Sequence, residues 1–137
     1  MKIVVGYDGS EHGDRALERA VGLAPGGGSL IVVSAARLTA LGGGAGSASS
    51  AVDPIEAEWA QANLDRARER LVAKGVEART VEAHGDPADA LVRAAKDEGA
   101  DMIVVGTRGL NAAQRALLGS VSTKVVHDAA CDVLVVR

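Results

Sequence analysis

The sequence predicts an α/β fold: a doubly wound, parallel, five-stranded sheet in strand order 3-2-1-4-5, with helices on both faces. Three observations carry this. Short apolar runs rich in Val and Ile alternate with stretches of helical periodicity along the whole chain, and such alternation builds a parallel sheet covered by helices. All but the third of these runs are close to continuously apolar, as strands buried on both faces must be. Cap and stop residues fall between the two kinds of stretch, so each crossover is long enough for a helix, and right-handed crossovers make the doubly wound arrangement the natural solution.

The elements follow in order. Residues 2–7 (KIVVGY) form the first strand, which ends in the turn Asp8-Gly9-Ser10. Ser10 is an N-cap, without a capping box because Gly13 stands at N3. Ala16, Leu17, Ala20, Val21 and Ala24 then recur at helical spacing until Pro25-Gly26-Gly27-Gly28 stops the helix. Residues 29–35 (SLIVVSA) are the second strand. Residues 39–52 are rich in Gly, Ser and Ala, the composition of a flexible linker, and are expected to form a mobile surface loop. Asp53-Pro54-Ile55-Glu56 places Asp at N-cap, Pro at N1 and an acid at N3. The helix it opens buries Ala60, Leu64, Ala67 and Leu71 and closes at Gly75.

Residues 76–83 alternate weakly and read as a third strand, at an edge of the sheet. Asp86-Pro87 repeats the cap-plus-proline signal for a helix whose apolar face is Ala88, Leu91, Val92 and Ala95, ended at Gly99. Residues 101–105 (DMIVV) are the fourth strand, and a long polar loop follows over 106–118. Residues 120–129 are a helix with Val121, Val125 and Ala129 inward, and 131–136 (CDVLVV) are the last strand.

Composition narrows the function. A chain of 137 residues is expected to be one domain over 1–137. The net charge is −3, without the basic excess or stripe of a nucleic-acid binder. No stretch approaches the roughly 18 apolar residues of a membrane span. No signal-peptide core follows Met1, and a single cysteine forms no internal disulfide. The chain therefore reads as cytoplasmic, with Cys131 free and buried rather than reactive. Phe is absent, and Tyr7 and Trp59 are the sole aromatics. This argues against an aromatic platform for single-stranded nucleic acid and against the aromatic sandwich of a flavin site. Trp59 reads as a packing residue beneath the 39–52 loop. His12, His84 and His127 lie in separate elements without metal-ligand spacing, and the charges between Glu56 and Arg79 read as a solvated helix face. A phospho-accepting receiver domain shares the topology but needs an aspartate at the end of the third strand, where Ala83-His84-Gly85 stand.

In a doubly wound sheet, ligands bind beyond the carboxyl ends of the strands, where the winding direction reverses. Here that point lies between the first and fourth strands, where the turn at 7–10 meets the loop at 106–120. Gly106 and Gly109 allow tight backbone turns close to a ligand. Gly119-Ser120 opens a helix whose free N–H groups and positive dipole end suit a phosphate. Ser120 and Ser122 add hydroxyls, and Arg108 a counter-charge. Asp8 can accept from ribose hydroxyls, and Ala35 offers a small apolar surface to adenine.

The Gly106-x2-Gly109-x9-Gly119-Ser120 spacing, the Asp8-Gly9-Ser10 turn and the terminal block 101–137 resemble the universal stress protein family, over essentially the whole chain and least in 39–52. The resemblance is to its ATP-binding, UspA-like members, whose fold is of the adenine-nucleotide alpha hydrolase type. It implies that Asp8 meets the ribose, Ala35 the adenine, and the glycine loop the phosphates. The candidate binding residues are Gly6, Asp8, Ala35, Val105, Gly106, Arg108, Gly109, Gly119, Ser120, Val121 and Ser122; no catalytic or metal-ligating residue is assigned. Family members often carry Pro-Thr or similar small residues where this chain has Gly6-Tyr7, so Tyr7 is expected either to stack near the adenine or to narrow the pocket. The expected ligand is ATP, or else ADP or AMP, with Mg²⁺ carried by the nucleotide. The expected role is a nucleotide-responsive stress or signalling module; a slow ATP hydrolase and a module acting only through protein contacts are the alternatives. The apolar last strand at 131–136 lies at a sheet edge without Pro or Gly, which predicts a homodimer through that strand.

Overall fold

The structure, a computed structural model, describes residues 1–24, 28–41, 49–107 and 119–137. Its elements in chain order are β1 (Lys2–Gly6), α1 (Glu11–Leu23), β2 (Ser29–Ala36), β3 (Leu38–Leu41), β4 (Ser49–Val52), α2 (Pro54–Ala73), β5 (Arg79–His84), α3 (Pro87–Glu98), β6 (Met102–Gly106), α4 (Ser120–Asp128) and β7 (Asp132–Val136). Five strands form one parallel sheet in the order β5-β2-β1-β6-β7. This is the predicted 3-2-1-4-5 order, with β5 at one edge and β7 at the other.

The continuously apolar strands are explained by two cores. Side chains alternate across a sheet, so Ile3, Val5, Val32 and Val104 pack with Leu17, Leu64 and Leu71 of α1 and α2. Their neighbours Val4, Ile31, Val33, Ile103 and Val105 pack with Leu91 of α3 and Val125 of α4. Fully burying each such side chain stabilises by about 1.5–3 kcal/mol relative to exposure. Because the aliphatic core is shared between two layers, neither face of the sheet is left for water. Among the described residues, no helix is long and apolar enough to cross a membrane.

The predicted loop at 39–52 is corrected at its two ends, 39–41 and 49–52, which are strands. β3 and β4 pair antiparallel from Leu38↔Val52 to Leu41↔Ser49, and the Asp53 N–H donates to the Arg37 carbonyl at 3.1 Å to close the base of the ribbon. Thr39 and Val52 are strand formers; the glycine-rich residues 42–48 dominate the composition of the segment but lie outside the described residues. The stop at 25–27 also lies outside them. The Asp-Pro starts behave as read. Asp53 accepts from the Ile55 N–H at 2.8 Å and the Glu56 N–H at 3.4 Å, and Asp86 accepts from the Asp89 N–H at 3.1 Å. Lys124 of α4 reaches Asp86 at 3.3 Å and Asp89 at 2.9 Å, which ties α4 to the start of α3.

Candidate functional site

The carboxyl ends of β2, β1 and β6 open into a cleft of about 290 Å³. One wall is α2, through Glu56, Trp59, Ala60 and Asn63; the other is the start of α3, through Pro87 and Leu91, with the start of α4. Gly6, Asp8, Ala35, Val105, Gly106, Gly119, Ser120, Val121 and Ser122 all line this one cleft. Arg108 and Gly109 lie outside the described residues.

The floor is set by the turn after β1. Asp8 Oδ1 accepts from the Ser10 N–H at 3.0 Å and from the Ser10 hydroxyl at 2.5 Å. Ser10 Oγ in turn accepts from the Gly13 N–H at 3.0 Å, capping α1. Gly9, at φ +78°, makes the turn, and a Cβ there would lie 2.6 Å from Asn63 Oδ1. The missing capping box has a local cause. A Cβ on Gly13 would stand 2.9 Å from Asp8 Oδ1, so a longer residue at N3 would push into the carboxylate that the turn holds in place.

Gly106 has a reason other than ligand approach. A Cβ there would lie 2.8 Å from the C, O and Cβ atoms of His12, so the glycine lets α1 seat against the end of β6. The His12 ring is engaged with Thr107, Nδ1 to Oγ1 at 3.1 Å. Buried Thr107 continues the sheet, its N–H donating to the Val136 carbonyl at 2.8 Å.

The start of α4 differs from the other helix starts. Gly119 is its N-cap and makes no side-chain cap, and the first turn holds no acidic residue. The first intrahelical bond runs from the Thr123 N–H to the Gly119 carbonyl at 3.0 Å, which leaves the N–H groups of Ser120, Val121 and Ser122 without helix partners. The Ser122 hydroxyl, expected to serve a ligand, is buried and donates to the Thr107 and Gly119 carbonyls at 3.1 and 3.0 Å. It anchors α4 to the end of β6. The Ser120 side chain is exposed.

Tyr7 takes neither of its expected places. Its ring belongs to the core beneath α1 and α2, and its hydroxyl donates to Asp14 Oδ1 at 2.7 Å. Burial, helped by the bonded Asp14 carboxylate, pushes the phenol well above its usual pKa. Asp14 Oδ2 accepts from Arg66 at 3.1 Å and Arg70 at 2.9 Å, joining α1 to α2. Trp59 is not a packing residue: its side chain is 57% exposed at the cleft. Cys131 is half-buried, and burial raises its thiol pKa. Of the other cleft residues, Asn63 and Thr107 escaped sequence reading, and Pro87 and Leu91 were read only as a helix start and a core position. The i, i+4 spacing of Trp59 and Asn63, beside the core positions Ala60 and Leu64, was the available signal for α2.

The profile of the universal stress protein family matches residues 1–137. The chain belongs to the universal stress protein family. It is similar to a universal stress protein of Thermus aquaticus, 38% identical over 143 aligned residues that cover 98% of this chain and 97% of the relative. It is also similar to the universal stress protein YxiE of Bacillus subtilis, 45% identical over 74 residues; that match covers 54% of this chain and half of the relative's length (50%). Among solved structures, a universal stress protein in complex with cAMP superposes with a TM-score of 0.74 at 34% identity, covering 100% of this chain and 97% of that one. The universal stress protein of Archaeoglobus fulgidus in complex with dAMP gives a TM-score of 0.74 at 26% identity, covering 100% and 98%. The fold and topology of this universal stress protein are thus those of its relatives.

Proposed function

We propose that the cleft binds an adenine nucleotide, ATP with its Mg²⁺ foremost and ADP or AMP otherwise, and that the chain is a nucleotide-responsive stress or signalling module. The observation that carries the reading is the start of α4: an uncapped helix N-terminus, without acids, facing a cleft that also contains Asp8 and Ala35. Three N–H groups without helix partners and the positive dipole end supply what a phosphate needs. The half-buried Asp8 has one oxygen held by Ser10 and offers its other to ribose hydroxyls. The relatives bound to cAMP and dAMP support an adenine ligand in this fold. Arg108 and Gly109 extend the phosphate loop in this reading, by resemblance. Mg²⁺ enters with the phosphates.

Calorimetry with Mg·ATP, ADP, AMP and cAMP tests it. Saturable binding is expected at or below ~1 mM, a Kd equivalent to about 4 kcal/mol. No heat from any of the four at millimolar concentration would overturn the reading. A turnover assay with Mg²⁺ separates the signalling module, which shows at most slow release of phosphate, from a genuine hydrolase.

A homodimer through β7 belongs to the same proposal. Among the described residues β7 pairs with β6 alone and is an edge. Val133, Leu134 and Val135 are half-buried along it, and an unpaired apolar edge favours a second copy about a two-fold axis. Light scattering at high micromolar concentration should give twice the 13.8 kDa chain mass, and Leu134→Pro, which removes a mid-strand donor, should shift it toward monomer.

A further inference from the structure

We propose that Trp59 closes over the base of the bound nucleotide. The inference rests on the nucleotide reading of the cleft and adds a contact that the glycine loop and Asp8 do not provide. The sheet order fixes the direction in which a ligand lies. β2, β1 and β6 are neighbours, about 4.8 Å apart, so Ala35, Asp8 and the α4 start follow one another across the cleft. Phosphates at α4 and a sugar at Asp8 leave the base over Ala35.

At that end, α2 supplies the wall. Its buried face is Ala60, Leu64, Ala67 and Leu71. Trp59 stands beside this face, lines the cleft, and keeps 57% of its surface exposed. An indole that packs in a core buries on the order of 150–250 Å²; this one leaves most of its surface in water at the mouth of a cleft. The chain has one other aromatic residue, Tyr7, and Tyr7 is committed to the core. Trp59 is therefore the large π face that the cleft offers. Across from α2, Pro87 and Leu91 of α3 give the opposing wall apolar surface. In this reading a flat heteroaromatic base lies between the two, and its stacking on the indole removes apolar area from water on both partners.

The test uses the whole chain. Trp59 is its single tryptophan, so the emission of the wild type reports on this side chain alone. Titration with Mg·ATP should quench or shift that emission with the same midpoint as calorimetry. Trp59→Ala should weaken ATP binding about tenfold, within the range found for base–aromatic stacking, while Trp59→Phe retains most of the affinity. Inorganic triphosphate, which has no base, should bind wild type and Trp59→Ala alike. Emission unmoved by ATP that calorimetry shows to be bound, with equal affinities for wild type and Trp59→Ala, overturns the inference and leaves the nucleotide reading intact. Equal weakening of ATP and triphosphate also overturns it, because the effect then has nothing to do with the base. Failure of the wild type to bind ATP brings down the nucleotide reading first. If Trp59→Ala unfolds, the emission titration and Trp59→Phe still decide.

Discussion

The helices α1 and α4 both begin at the cleft, and they begin differently. α1 is closed by its own chain: Ser10 caps the Gly13 N–H, Asp8 holds Ser10, and Glu11 and Asp14 place negative charge on the first turn. α2 and α3 open the same way, on Asp53 with Glu56 and on Asp86 with Asp89. α4 has Gly119 and no acid. A capped, acid-flanked N-terminus has little left for an anion, whereas an uncapped one keeps both its donors and its dipole. In the proposed reading the difference divides the roles: the α1 start is scaffold that positions Asp8, and the α4 start is the receptive end.

The largest expected effect comes from displacing the scaffold. Gly106→Val would drive a branched side chain into the His12 backbone, already 2.8 Å from a bare Cβ. Backbone cannot rotate away as a side chain can, so unfolding in urea should show a loss of about 3 kcal/mol. Gly6→Ala is the control. Its Cβ would meet Leu91 Cδ1 at 2.7 Å, the far end of a flexible side chain, and about 1 kcal/mol is expected. Equal costs at the two glycines would show that α1 is not rigidly seated.

The comparison is sharpened by making α4 resemble α1. Gly119 is extended, at φ −71° and ψ 165°, a conformation that Asp adopts at an N-cap without strain. Gly119→Asp should leave stability unchanged or raise it by a few tenths of a kcal/mol. It should also weaken Mg·ATP binding by about 2–3 kcal/mol, because its carboxylate takes the donors and repels the phosphates. Calorimetry and thermal unfolding on the same samples decide between the two roles. Unchanged affinity would mean that α4 is not the receptive end.

Most of this contrast was legible in the chain. Strand order, helix faces such as Ala60-Leu64-Ala67-Leu71, and the Asp-Pro starts follow from periodicity and capping, which are local. So does the absence of acid after Gly119. What was not legible depends on contacts between elements distant in sequence. The glycine requirement at 106 comes from His12, the burial of Ser122 from the Thr107 carbonyl, and the orientation of Tyr7 from Asp14 with Arg66 and Arg70. The β3–β4 ribbon escaped because Gly42, Gly43, Gly44 and Gly46 lowered the strand signal of a segment whose flanks pair. Trp59 looked like core because a lone tryptophan usually is.

The smallest effect tests how the scaffold wall is held together. Tyr7→Phe keeps the ring in the core and removes the hydroxyl that donates to Asp14 Oδ1 at 2.7 Å. Asp14 keeps Arg66 and Arg70 on its other oxygen, so no charge is stranded, and the cost near pH 8 should be about 1 kcal/mol. The pH dependence tests whether the folded chain holds the phenol neutral, by burial first and by Asp14 second. In the folded chain, burial and Asp14 raise the Tyr7 pKa, while the unfolded chain ionises near pH ~10. The unfolded state thus loses its proton first, so the stability contributed by the protonated phenol is complete below pH ~10 and declines above it. Urea unfolding at pH 8, 10 and 11 should therefore show wild type falling toward Tyr7→Phe as the pH rises, since phenylalanine has no proton to lose. A gap that stays constant from pH 8 to 11 would mean that the folded chain holds the phenol neutral neither by burial nor through Asp14.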